Sequence, residues 1–222
     1  MLKIECEGTD GAGKTTGLKY FIEQARKRGL SVVETREVGN PHIPSCVKMR
    51  EFVLDPNSNL TGESMELIFS AMRLENEKWL QELKYNPIST DYVVSDRGWF
   101  SHLAYTDHNV SEEFTANLYE GVVAKKTSPP DVVIYFAVNT ETALKRRVKR
   151  GTGMDVIEMK GVEFQEKVRK SFEKYLKEVP TSKYSRMQLF YVDANQSIEV
   201  VQNRLNDILD VLMTQREWEG ER

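Results

Sequence analysis

The sequence predicts an α/β fold in which a parallel β-sheet is covered by helices on both faces. Three observations carry this expectation. Five short runs rich in Val, Ile, Tyr or Phe are spaced along the chain. Longer stretches between them carry apolar residues at helical spacing. The connections are long enough for crossover helices, which parallel neighbours require and hairpins do not.

The predicted strands are Leu2–Glu7, Ser31–Arg36, Tyr92–Ser95, Val132–Val138 and Gln188–Val192. A first helix begins near Lys14 and places Leu18, Phe21, Ile22 and Ala25 on one stripe. Further helical spacing runs from about Ser64 to Leu83, Ser111 to Lys125, Thr140 to Lys149, Val162 to Lys177 and Ser197 to Met213. No linker composition interrupts the 222 residues, so a single domain spanning 1–222 is expected, with a small mobile insert around 145–160. In parallel sheets ligands gather beyond the carboxyl ends of the strands, so the residues just after each strand are the places to look for chemistry.

Composition narrows the partners. A net charge of −3 argues against a dedicated nucleic-acid binder, which needs an excess of Lys and Arg. Cys6 and Cys46 are the only cysteines, with neither a disulfide framework nor zinc spacing. No apolar run approaches the ~20 residues that span a bilayer, and Met1–Glu5 has no signal or transit features. A soluble, cytoplasmic protein without membrane or nucleic-acid partners is the expectation. His42, His102 and His108 lack metal-ligand spacing and receive no role.

The sharpest motif directly follows the first predicted strand. Gly8-Thr9-Asp10-Gly11-Ala12-Gly13-Lys14-Thr15 fits G-x-x-x-x-G-K-[ST], a match expected by accident on the order of once in a hundred such chains. Its glycines let backbone N–H groups wrap a phosphate at a helix N-terminus. Lys14 would reach the β- and γ-phosphates of ATP, and the Thr15 hydroxyl would ligate Mg²⁺. A plain glycine-rich turn would explain the glycines but not the lysine.

Further segments come into register with one family. Glu7 to Thr16 resembles the E-G-x-[DE]-G-A-G-K-[ST]-T of the thymidylate kinases, and Thr35-Arg36-Glu37-Val38-Gly39 resembles their T-R-E-P-G. Ile68-Phe69-Ser70-Ala71-Met72-Arg73 is similar to L-F-S-A-N-R, and Asp96 to Tyr105 to D-R-Y-x-x-S-x-x-A-Y. Val192-Asp193-Ala194 is similar to the adenine-side V-D-A. The resemblance implies a three-layer P-loop NTPase fold with a five-stranded parallel sheet, a mobile lid, ATP and Mg²⁺ as cofactors, and a homodimer. Five departures stand out: Val38 for Pro, Asn40 for a second Gly, Gly98 for Tyr, Thr106 for Gln, and Val156 for a lid Arg.

The resemblance also distributes roles. Gly8, Gly11, Ala12, Gly13, Lys14, Thr15, Thr16, Asp193 and Ala194 would bind ATP, and Arg36, Ser101 and Thr106 would contact the acceptor nucleotide. Phe69 and Arg73 lie four apart on one predicted helical face. They would stack on the base and donate to O4 of thymine or uracil, where cytosine presents an amine. Read alone, Phe69 would be core and Arg73 a solvated charge. Arg97 past the third strand suits the acceptor phosphate and Asp96 a water on Mg²⁺, against a simple Asp–Arg turn pair. Asp10 would contact the sugar 3′-hydroxyl, and Tyr105 would lie against C2′ unless it is merely core.

The run Lys145-Arg146-Arg147-Val148-Lys149-Arg150 is either a solvated basic helix end or the lid of the kinase. Arg146 and Arg150 share a face and are the expected catalytic pair, with Arg147 off that face. The implied reaction is ATP-dependent phosphorylation of dTMP. A kinase for dUMP or a 5-modified deoxyuridylate is the alternative, with Gly98 and Thr106 enlarging the pocket. A non-enzymatic nucleotide switch is a further alternative.

Overall fold

The computed structural model describes residues 1–86, 89–106, 110–150, 160–178 and 187–220. Among them β1 (Leu2–Glu7), β2 (Val32–Arg36), β3 (Tyr92–Asp96), β4 (Val132–Ala137) and β5 (Gln188–Asp193) form one sheet in the order β2-β3-β1-β4-β5. Every pairing is parallel. The helices are α1 (Lys14–Lys27), α2 (Pro44–Leu54), α3 (Gly62–Lys84), α4 (Trp99–Thr106), α5 (Glu112–Leu118), α6 (Ala124–Lys126), α7 (Thr140–Arg150), α8 (Gly161–Glu178) and α9 (Ile198–Gly220). The expected three-layer fold with a five-stranded sheet is the fold observed.

The period-2 pattern of β4 shows why both faces are covered. Val132, Ile134 and Phe136 pack with Leu18, Phe21, Leu205 and Leu209 of α1 and α9. Val133 and Tyr135 point the other way, among Met72, Phe100, Val168 and Phe172 of α3, α4 and α8. A strand buried on both faces reads as a continuous apolar run, as β4 does.

β1 is different. Ile4 and Cys6 join the first layer, while Lys3, Glu5 and Glu7 lie on the other face and are also buried. Buried charge must be paired and hydrogen-bonded. The start of α4 supplies the partners: Trp99 N–H donates to Glu5 at 2.9 Å, and Ser101 donates to Glu7 from its N–H at 2.9 Å and from its hydroxyl. Lys3 Nζ sits 3.0 Å from Glu5. The two carboxylates thus satisfy the orphan N–H groups of a helix N-terminus and suit its positive end. Burial still pushes Glu5 up to about 7 against the opposing effect of Lys3.

Two helices lie outside the sequence expectation. α2 buries only Cys46 and Val53, too sparse a stripe to register, and begins with Pro44. α4 is eight residues long and apolar on most sides, so no periodic face marks it. The stretch expected as one helix over Ser111–Lys125 is α5, a π turn over Tyr119–Val123, and α6.

Gly98 departs from the family pattern for a packing reason. A Cβ on residue 98 would overlap the Glu5 carboxylate, and Gly98 is not among the residues lining a cavity near the site. Its absent side chain therefore makes room for Glu5 rather than for a bulky substrate. Gly98→Ala should destabilise the protein by about 2–4 kcal/mol, since it displaces a buried hydrogen-bonded carboxylate. Combining it with Glu5→Ala should cost less than the sum of the two single changes. Denaturant midpoints of the four proteins check this; strict additivity would contradict the overlap.

Candidate active site

The loop between β1 and α1 turns on glycines in left-handed or extended positive-φ conformations, Gly8 at 144°, Gly11 at 86° and Gly13 at 84°. A Cβ at Gly8 would stand 2.7 Å from the Phe136 carbonyl, and one at Gly11 would collide with the Ala143 backbone. Lys14 folds back over this loop, and its ammonium donates to the carbonyls of Gly8 and Thr9, both at 2.9 Å. Burial, aided by the nearby Arg97 guanidinium, pushes Lys14 down to about 8.

A cleft of about 500 Å³ opens over the loop. It is lined by Gly11, Ala12, Gly13, Lys14, Thr15 and Thr16, with Arg146 and Arg147 from α7. Gly17, Tyr20, Ala194, Gln196, Ile198, Val201 and Gln202 form the rest of its wall. Gly8 lies beneath, as an acceptor for Lys14. Asp193 does not line the cleft. Its carboxylate accepts from Asn195 and Gln196 and so shapes the turn that presents Ala194.

The sequence sets Arg147 off the face that Arg146 shares with Arg150. Arg147 lines the cleft alongside Arg146, and its Nε is buried without a hydrogen-bond partner. Two consecutive arginines of this helix thus reach the same space. The Arg150 side chain and residues 151–159, including Val156 and most of the expected lid, lie outside the described residues, as does His108.

On the other side of the loop a second cavity is lined by Asp10, Arg97, Ser101, Tyr105, Phe69 and Arg73, with Glu37, Val38, Arg50, Leu54, Glu66 and His102. Arg97 lines this cavity and reaches back to the loop. It has φ of 71°, uncommon for a residue with a side chain, and its N–H bonds the Cys6 carbonyl at 2.9 Å. Its guanidinium donates to the Gly8 carbonyl, the Ser101 hydroxyl, the Tyr105 hydroxyl and Asp10. Asp10 also accepts from Tyr105 at 3.0 Å and Gln165 at 3.2 Å. Burial alone would raise the Asp10 carboxyl, but Arg97, Lys14 and these donors hold it down at about 2. Asp96, at the end of β3, accepts from the Thr15 hydroxyl at 2.7 Å.

Arg73 is buried, with Nε 3.6 Å from Glu37 and with Nε and Nη1 lacking hydrogen-bond partners. It is therefore not the solvated charge that a lone reading of α3 allows. Phe69 is half-buried on the same cavity wall. His102, given no role in sequence, is a buried lining residue beside Glu66 at 3.8 Å. Burial first, then Arg73, pushes its imidazole well below the usual range. Arg36 is exposed and donates to the Gly39 carbonyl at 2.9 Å, off both linings. Thr106 closes α4, and its side chain lies outside the described residues. Arg50, Tyr20 and Gln202 are lining residues that no sequence pattern singled out, and Glu37 lines the second cavity from the segment resembling T-R-E-P-G, where the resemblance assigns it no role.

A glycine-lysine loop with one cleft above it and a second cavity beginning at Asp10 defines a P-loop kinase of small nucleotides. The chain belongs to the thymidylate kinase family, whose model, described as "Thymidylate kinase", matches residues 6–205. It is 31% identical over 217 residues to a thymidylate kinase of Bacillus licheniformis, covering 94% of this chain and 95% of that protein. It is 32% identical over 203 residues to a thymidylate kinase of Enterococcus faecalis, covering 89% and 90%. A probable thymidylate kinase of Methanosphaera stadtmanae is 31% identical, with 94% and 98% covered. The chain is accordingly a nucleoside monophosphate kinase, a phosphotransferase.

The Lys14 environment predicts a proton linkage. Below about pH 8 its ammonium is charged, and above it the free protein carries a neutral amine. ATP binding should therefore take up a proton at pH 8.5, and affinity should fall as pH rises from 7.5 to 9. Calorimetry in two buffers of different ionisation enthalpy measures the uptake. Lys14→Met should abolish it; equal heats in both buffers for the unmodified protein would contradict the assignment.

Proposed function

We propose that the protein transfers the γ-phosphoryl group of ATP to dTMP, giving ADP and dTDP for deoxynucleotide synthesis. The observation that carries the acceptor is Arg73: a buried guanidinium with unbonded donors, near Phe69, in the cavity that begins at Asp10 of the phosphate loop. Unmade buried hydrogen bonds cost about 1–3 kcal/mol each, so a ligand with an acceptor at that point is favoured. O4 of a thymine stacked on Phe69 supplies it.

In this reading the loop N–H groups and Lys14 hold the β- and γ-phosphates, and the adenine lies between Ala194 and the start of α9. An oxygen of the acceptor phosphate attacks the γ-phosphorus as the bond to the β,γ-bridging oxygen breaks, and ADP departs. The attacking oxygen is already anionic, so no strong base is needed. Alignment and charge neutralisation by Lys14, Arg97, Arg146 and Arg147 lower the barrier. Arg97 exchanges its contact with Ser101 for the acceptor phosphate, while Asp10 receives the sugar 3′-hydroxyl beside Tyr105.

Mg²⁺ fits the donor set. The Thr15 hydroxyl and Asp96 carboxylate are adjacent oxygen donors at the loop. Among the described residues no cluster of three His, Cys, Asp or Glu could hold a metal, which suits an ion carried largely by phosphate and water. When bound, it would neutralise phosphate charge. The reading also includes a homodimer. Phe52 on α2 and Leu67 on α3 are exposed apolar positions that a second copy would cover, and sedimentation measures this. Among the described residues no helix is long and apolar enough to cross a membrane, and a cytoplasmic setting accords with that.

The test is ADP formation from ATP and Mg²⁺ with a panel of nucleoside monophosphates. It should require added acceptor, with dTMP best, dUMP modestly poorer and dCMP barely used. One methyl is worth about 1–3 kcal/mol, less than a mismatched buried donor. Arg146→Ala and Arg147→Ala should each lower kcat at least tenfold with little change in the dTMP KM. ADP formation without acceptor would support a nucleotide switch instead.

A further inference from the structure

The cavity wall beside Arg73 carries a second unbonded atom. Glu37 follows β2, and its N–H is anchored to the Asp96 carbonyl at 3.0 Å. Its side chain is buried. Oε1 accepts from the Asn76 side-chain amide at 2.5 Å, Asn76 accepts from the Asn40 amide at 2.7 Å, and Asn40 accepts from the His42 N–H at 2.8 Å. This relay holds the carboxylate in one orientation and leaves Oε2 without a hydrogen bond. Oε2 lies 3.6 Å from Arg73 Nε, beyond hydrogen-bond distance, and both residues line the cavity.

A buried acceptor and a buried donor thus stand side by side, each with capacity unused. Neighbouring atoms on the edge of a thymine or uracil ring have the complementary order: O4 accepts and N3–H donates. Cytosine has the reverse order, an amine donor at C4 and an acceptor at N3, so it would meet a mismatch at both positions. We infer that Glu37 is a specificity-determining residue that accepts N3–H of the acceptor base, forming with Arg73 a two-point reader of the thymine and uracil edge. The inference rests on the proposed acceptor and adds the second hydrogen bond. Asn40 and Asn76 are positioning residues for Glu37. Asn40, a departure from the family pattern, is thereby given a reason.

Glu37→Gln tests this in the full-length protein. Glutamine keeps the volume and can still accept from Asn76, but it turns the inward atom from an acceptor into an amide donor. A hydrogen bond to a charged group contributes about 1.5–3 kcal/mol, so kcat/KM for dTMP should fall about 10- to 100-fold, chiefly through KM. The dCMP value should hold or rise, shrinking the dTMP/dCMP ratio at least tenfold, while the ATP KM stays the same. Equal losses for dTMP and dCMP, or a dTMP value within twofold of wild type, would overturn the inference. If Glu37→Gln does not fold, the unmodified enzyme still decides. N3-methyl-dTMP, which keeps O4 but lacks the N3 donor, should be used at least 100-fold less well than dTMP, and use within twofold would overturn the inference. A wild-type preference for dCMP or a purine would remove the proposed function itself, and this inference with it.

Discussion

The buried carboxylates of β1 need donors, and the first turn of α4 supplies them. Glu5 and Glu7 lie on the covered face of the central strand, where an unpaired charge would be costly. By accepting the N–H groups of Trp99 and Ser101 they fix where α4 begins and how it is rotated. Residues 97 and 98 then join the end of β3 to that anchored turn. Arg97 is left with a positive φ and a guanidinium aimed back across the phosphate loop.

From that placement the two halves of the site become one. Arg97 touches the Gly8 carbonyl in the loop, Ser101 and Tyr105 on α4, and Asp10 between the two spaces. Its positive charge is the first influence opposing burial at Asp10, and it also helps to depress Lys14. A single guanidinium therefore acts on a charged group lining each cleft, as the main influence holding Asp10 down and as an aid to burial at Lys14. In phosphoryl transfer, where alignment and charge compensation account for most of the rate, a shared cation between donor and acceptor is well placed.

Much of this was legible in sequence because it is local. The glycine-lysine loop is contiguous, strands such as Val132–Ala137 announce themselves as apolar runs, and Phe69 and Arg73 share a helical face whatever the tertiary contacts. What escaped depends on pairs distant in the chain. α4 is stabilised by carboxylates more than ninety residues earlier, so its own periodicity is uninformative. Gly98 reads as extra pocket space until Glu5 is seen filling the volume. Arg147 reads as off-face because helical spacing relates it only to its neighbours on α7, whereas the cleft it lines is built with residues of the loop and of α9. The Glu37–Asn76–Asn40 relay joins two loop residues to the middle of α3, and no window of sequence contains it.

Arg97 bonds Asp10 where the phosphate loop borders the second cavity, and the proposed function requires the two to act as one unit. A double-mutant cycle of Arg97→Lys and Asp10→Asn, read as kcat with ATP and dTMP, tests it most directly. If the two residues act as one unit, the double variant should be no slower than the slower single variant, a coupling of the kind seen for residues in direct contact. Losses that simply multiply would mean that Arg97 and Asp10 act independently, and would contradict the account.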